Sequence, residues 1–277
     1  MPIPAVCSWS LRPESPADLV SKLRECGLSA VQLALEPVRL WQWRPDETGS
    51  LLRASGVRII SGMMSTKGED YTTLDSIKAT GGVRPDQHWD ANVRAAEGCS
   101  LLAARYGIPL VTFHAGFLPH EPGDPERVRM IERLHSIAEI FAARGISVAL
   151  ETGQEDAETL AAVLDTLNAT LPSHARVGVN FDPANMILYG MGDPIAALRR
   201  LSPYLRQVHI KDASPTTTPG TWGEEKRMGD GAVDWPAFLA TLKEAAYDGA
   251  LVIEREAGES RVQDVAHAAQ LLRSYMN

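Results

Sequence analysis

Short apolar runs alternate with stretches of helical period along the whole chain. Ile3–Cys7, Val31–Leu35, Arg58–Met64, Leu110–Ala115, Ser147–Thr152, Val177–Asp182, Arg206–Lys211 and Leu251–Arg255 are too short for helices and predict buried strands. Between them a period near 3.6 predicts helices from Pro16 to a capping Gly27, over Pro45–Ser55 closed by Gly56, and over His88–Tyr106, Pro125–Arg144 and Ala157–Leu171. Pro194–Leu201, Trp235–Ala246 and Val262–Met276 complete the set. Two long polar stretches, Ser65–Asp86 and Asp212–Gly231, carry no clear period and read as loops.

Eight strands thus alternate with helices. The strands are near-continuous apolar runs, as expected when a parallel sheet is covered by helices on its outer face. An open doubly wound sheet also alternates in this way. Eight units filling the chain, with no GxGxxG after the first strand, favour closure into a single-domain (β/α)8 TIM barrel over residues 1–277. Both long polar stretches follow strands, so both belong on the face where such barrels build active sites, as lids or binding loops.

Composition narrows the function. A formal net charge of -8 and a pI near 5.4 work against polyanions, so no nucleic-acid partner is expected. Cys7, Cys26 and Cys99 have no metal-ligand spacing and an odd count, as in a reduced cytoplasmic protein. The opening MPIPAVCSWSLRP lacks a basic flank before an apolar run, and no run of about 18 apolar residues is present, so neither a leader nor a membrane span is expected.

The last four predicted strands end in chemistry. Glu151, Asp182, His209 and Glu254 stand at or near the carboxyl ends of the fifth to eighth, each about one βα unit from the next. A lone strand-end Glu commonly pairs with the next helix, and a His in an apolar strand is commonly a hydrogen-bonded core residue. Neither reading explains four on consecutive strands. Three converging carboxylates repel one another and raise their own pKa values unless a cation joins them. Three oxygen donors and one nitrogen donor form a hard set that ranks Mn²⁺ first as the single divalent ion, with Mg²⁺, Co²⁺ and Zn²⁺ as alternatives. The outer two, Glu151 and Glu254, would face a substrate from opposite sides, one removing a proton α to a carbonyl and the other returning it.

Around these stand weaker candidates. His114, in TFHAGF, is a substrate-binding residue or a barrel-layer histidine. Lys211 lies two residues beyond His209 and shares its inward face, with Asp212 bracing the loop beyond. Trp9 and Trp222 are sugar-stacking walls or plain packing. Gln154 and Glu155 follow Glu151 closely enough to reach hydroxyls. Gly229 and Gly231 could turn backbone amides toward a phosphate.

The segments ALET at Glu151, VNFDPANM at Asp182, QVHIKDA at His209 and VIEREAG at Glu254 resemble the sugar phosphate isomerase/epimerase superfamily, the xylose isomerase-like TIM barrels. The resemblance covers essentially the whole chain. It implies a ketose 3-epimerase-like enzyme on a small sugar or sugar phosphate. Glu151, Asp182, His209 and Glu254 would hold one divalent metal, and the two glutamates would exchange the proton through an enediolate. Several sugar epimerases and dehydratases of the superfamily carry His three residues after the metal-binding Asp. This chain has Asn185, as ketopentose-phosphate 3-epimerases do, which favours epimerisation over dehydration. Matching loops in relatives supply a substrate-binding Arg, making Arg227 the candidate here.

Two other enzymatic readings stand beside this one. A metal-dependent dehydratase or lyase on a cyclic keto-polyol would use the same glutamates with another acid, for which His114 is the candidate. A nuclease acting on abasic DNA would resemble a three-zinc, His-rich site, which His114 and His209 are too few to fill. A non-catalytic binding barrel would have no need of all four ligands. Helix faces of barrels also pair into homo-oligomers without a sequence signature, so that partner stays open.

Overall fold

The computed structural model describes residues 2–276. Eight parallel strands close a barrel: β1 (Ile3–Cys7), β2 (Ala30–Ala34), β3 (Arg58–Met63), β4 (Leu110–Phe113), β5 (Ser147–Glu151), β6 (Gly178–Phe181) and β7 (Leu205–Ile210), with β8 (Asp212–Ser214) and β9 (Glu224–Lys226) forming a separate hairpin before the last barrel strand, β10 (Ala250–Ile253). The ring is closed by β1 pairing with β10, Ala5 beside Val252.

The predicted helices are present within a few residues of their expected bounds. Four of their starts follow one rule. Ser15, Asp124, Asp193 and Asp234 each accept a first-turn amide, and proline at the first or second helical position has no amide to leave unpaired. The ends share another: Gly27 and Gly107 take φ of +64° and +68°, and the following Leu28 and Ile108 donate back to Leu23 and Ala103, aiming the chain into the next strand.

Four short elements escaped the sequence period. Helix Leu74–Thr80 interrupts the first polar stretch, and its only buried residue is Ile77. Too short to show a stripe, it is fixed at its start by Thr73 and Ser76 capping one another reciprocally. Helix Pro183–Leu188 follows β6 immediately, Glu36–Arg39 follows β2, and the β8–β9 hairpin occupies the second polar stretch.

Strand alternation decides what the barrel holds. On β6, Phe181 points outward onto Phe238 of helix Trp235–Glu244, ring centroids 6.0 Å apart, while Asn180 and Asp182 point inward. On β7, Gln207 and His209 point inward. The interior is a hydrogen-bonded polar layer beneath the site. Ser61 donates to Gln207 Oε1 (2.6 Å), Gln207 Nε2 donates to Gln32 Oε1 (2.9 Å) and Asn180 Oδ1 (3.2 Å), and Gln32 Nε2 donates to Thr112 (2.7 Å). All five are essentially inaccessible to water, so each polar group needs such a partner. The barrel's two register irregularities each skip one residue, Ile60 of β3 opposite Val31/Gln32 and Arg206 of β7 opposite Val179/Asn180, so Gln32 pairs with Ser61 and Asn180 with Gln207, partners in the polar layer.

Candidate metal centre and active site

At the carboxyl end of the barrel, Glu151 closes β5, Asp182 follows β6, His209 lies inside β7 and Glu254 follows β10. His209 Nδ1 stands 3.4 Å from Glu151 Oε1, 3.7 Å from Asp182 Oδ2 and 3.4 Å from Glu254 Oε2. One potential ligand atom from each of the four lies within 4.8 Å of the others. All four are buried.

Each side chain is held by neighbouring groups. Asp182 gives Oδ1 to the amides of Ala184 (2.8 Å) and Asn185 (3.0 Å), capping helix Pro183–Leu188, and turns Oδ2 inward without a hydrogen-bond partner. His209 gives Nε2 to Gln32 Oε1 at 2.8 Å. Nε2 also lies 3.0 Å from Asn180 Nδ2, a donor; with its proton on Nε2 the imidazole donates to Gln32 Oε1, the shorter contact, and turns the Nδ1 lone pair to the carboxylates, where Nδ1 is unpartnered. Glu151 accepts from Asn185 Nδ2 (3.1 Å) and Asn180 Nδ2 (3.3 Å). Glu254 accepts from Trp9 Nε1 (2.9 Å) and Lys211 Nζ (2.9 Å).

The electrostatics express the same crowding. Burial disfavours a charged imidazole at His209, yet Glu151 and Glu254 overcome it and hold its pKa well above the usual value; Cys7, 3.7 Å away, is kept a neutral thiol by its own burial. Burial raises Glu254, but Lys211 and His209 outweigh it and hold the carboxyl well below its ordinary range. Burial dominates at Asp182 and pushes it up. A proton on His209 is thus a makeshift for positive charge at the centre of three carboxylates. The unpartnered Asp182 Oδ2 and His209 Nδ1, buried and facing one another, fit a divalent cation better than they fit a proton.

Above the quartet opens a cleft of about 490 Å³. Trp9, His114, Asn185, Lys211 and Trp222 line it, and both long loops reach it, one through Glu69 and Tyr71 and the other through Trp222 and Glu225. Asn185 bridges Glu151 and Lys211, the latter at 3.5 Å. His114 Nε2 lies 3.8 Å from Glu151 Oε2, and Tyr71 meets its ring edge-on.

Three expectations are corrected. Arg227 does not reach the cleft: its guanidinium pairs with Asp230 at 2.9 Å, at the exposed turn after β9. Gly229 and Gly231 offer no amides to a phosphate, because both donate to Asp212, which also accepts from Val233 and the Trp235 indole. Gln154 lies outside the cleft, in a neighbouring cavity of about 240 Å³ beyond Tyr189, and Glu155 is buried. Sequence reasoning also missed Gln32 and Asn180. A lone amide inside VVQ-type apolar strands, AVQLA and GVNF, was the available signal.

A family model described as xylose isomerase-like TIM barrel matches residues 20–275. The chain belongs to that family. No curated protein matches the sequence. Among solved structures, the xylose isomerase domain protein from Planctomyces limnophilus is 29% identical, with a TM-score of 0.84 over 99% of this chain and 96% of that one. The same fold recurs at lower identity. A xylose isomerase-like TIM barrel protein from Mycobacterium smegmatis in complex with magnesium is 18% identical (TM-score 0.71; 100% of this chain, 98% of that one). D-allulose 3-epimerase from Methylomonas sp. in complex with D-allulose is 16% identical (TM-score 0.73; 99% and 97%).

Proposed function

We propose that the protein is a divalent-metal-dependent epimerase or isomerase of a ketose, working in the cytoplasm, where its three buried, unpaired cysteines would stay reduced. The observation that carries the reading is the pair Glu151 and Glu254, flanking the unpartnered Asp182 and His209 atoms and both lining the same cleft. Glu151, Asp182, His209 and Glu254 are the residues that would hold the ion. Bound there, Mn²⁺, or Mg²⁺, Co²⁺ or Zn²⁺ in its place, supplies Lewis-acid polarisation of a substrate carbonyl.

The chain's own groups do the rest. Glu151 and Glu254 both begin as carboxylates, each held below its ordinary pKa by neighbouring cations despite burial. One takes the proton α to the carbonyl. The other, once it has taken up a proton from solvent water, delivers that proton from the opposite side and inverts the centre, while the first releases its proton to solvent; delivery to the neighbouring carbon gives aldose–ketose isomerisation instead. Lys211 keeps Glu254 oriented, and Asn185 does so for Glu151, while Trp9 and Trp222 offer apolar walls to a sugar's C–H face. The acidic cleft suits a small-molecule sugar rather than nucleic acid.

The test is proton NMR in D₂O with the Mg²⁺-loaded protein and a panel of ketoses. An α-proton signal should disappear as a new epimer or isomer grows in, and Glu151→Gln and Glu254→Gln should each slow exchange by 10² or more. Exchange unchanged in both variants would sink the assignment. A dehydratase reading draws support from one observation, the His114 imidazole, which carboxylates led by Glu151 hold above its ordinary pKa despite burial, placing an acid in the cleft. Loss of water from a cyclic keto-polyol, without epimer formation, would select it.

A further inference from the structure

The geometry points to an uncharged, unphosphorylated sugar as the substrate, an inference that rests on the sugar epimerase or isomerase reading and narrows it. The cleft wall carries the carboxylates of Glu69, Glu151, Glu225, Glu254 and Glu256, with Asp182 directly behind. Among the described residues, the only lysine or arginine lining it is Lys211. That ammonium is already committed. It lies 2.9 Å from Glu254 Oε2, 2.7 Å from Glu256 Oε2 and 3.8 Å from Asp182 Oδ2.

Nearby cations are committed as well. Arg255 lies behind Glu225 at 2.7 Å and also binds Asp264, Lys226 pairs with Glu224, and Arg227 pairs with Asp230. The glycine-loop amides that would cradle a phosphate are bound to Asp212. Counting a dication at the quartet together with Lys211 and Arg255, six carboxylates still leave excess negative charge. A phosphate dianion entering this space would add two more charges of the same sign, and even a protonated His114, which stands 3.8 Å from Glu151, leaves the balance negative. Four aromatic side chains, Trp9, Tyr71, Tyr189 and Trp222, also line the wall, and such faces recognise the C–H surface of a neutral ring or chain.

The test compares matched pairs, each a free ketose and its phosphate monoester, with the Mg²⁺-loaded protein. Free ketoses should exceed their phosphates in kcat/KM by at least tenfold, and the ratio should narrow as ionic strength rises, because the repulsion is screened. Inorganic phosphate at 20 mM should not inhibit beyond a matched chloride control. A phosphate ester turned over as well as or better than its free sugar overturns the inference while leaving the epimerase reading intact. Exchange in neither series overturns the epimerase reading, and thermal shift then decides this one independently. A panel of alditols should raise the melting temperature more than their phosphates do; the reverse order overturns it.

Discussion

Gln32 is a small side chain with a large effect on the chemistry above it. Its Oε1, 2.8 Å from His209 Nε2, offers an acceptor to a proton on that nitrogen, the tautomer that leaves the Nδ1 lone pair facing the carboxylates. Removing such a support commonly weakens metal affinity by about 10–100-fold. Gln32→Met should do so in a calorimetric titration of apo-protein with Zn²⁺, and Gln32→Glu, which keeps an acceptor there, should lose less. Equal affinity in all three proteins would mean that Gln32 does not set the tautomer. Glu155 makes a different point at the same scale. It is buried beneath the site loop, and burial, with Asp156 adding to it, pushes its pKa up to about 8. The unfolded chain releases this proton near pH 4.5 and the folded chain near 8, so the folded state loses stability across that window as pH rises. Glu155→Gln should therefore unfold at higher temperature than wild type at pH 8.5, with the gap closing toward pH 4.5. A gap independent of pH would place the cause elsewhere.

The elements divide by how much of their reason is local. Barrel strands and long helices were legible because their apolar period or their proline and glycine punctuation is written in consecutive residues. The convergence of Glu151, Asp182, His209 and Glu254 was legible because strand ends in a barrel share one rim, and that geometry follows from topology alone. Helix Leu74–Thr80 was not, being too short to show a stripe despite its local cap, nor was the β8–β9 hairpin, whose loop is gathered on Asp212 from residues well beyond it. Gly82 and Gly116 cross so closely that a Cβ on Gly82 would sit 2.0 Å from the Ala115 carbonyl oxygen, a contact no local pattern announces. The register shifts that skip Ile60 and Arg206, and so set Gln32 beside Ser61 and Asn180 beside Gln207, are equally invisible before the strands pair. In the second loop the organising group is Asp212, whose two oxygens accept from Ala213, Gly229, Gly231, Val233 and Trp235. The Asp212→Asn variant turns an NH₂ toward these donors. Limited proteolysis should then cut within residues 213–231 at least tenfold faster, and unfolding free energy should fall by about 2–3 kcal/mol. Unaltered cleavage would show that the hairpin holds the loop unaided.

At the scale of the whole molecule, an ion at the quartet would join β5, β6, β7 and β10, half of the ring. Binding to the folded state alone stabilises it by about 4 kcal/mol at a thousandfold excess over Kd. For a chain of this size that corresponds to a rise on the order of 10 °C in melting temperature. Mn²⁺ added to chelator-treated protein should give such a rise, EDTA should reverse it, and Asp182→Asn should blunt it strongly. A melting temperature indifferent to every divalent ion tested would remove the metal from the account. Among the described residues no helix is long and apolar enough to cross a membrane.

The polar layer inside the barrel has a consequence for descent. Gln32 serves Gln207, Thr112 and His209 at once, and Gln207 serves Ser61 and Asn180. An ancestor could not exchange one of these amides for an apolar residue without stranding its neighbours in a dry interior. Lineages that abandon the layer should therefore have replaced it as a block, and those that keep it should inherit its members together. The layer behaves as one heritable character spread over five strands.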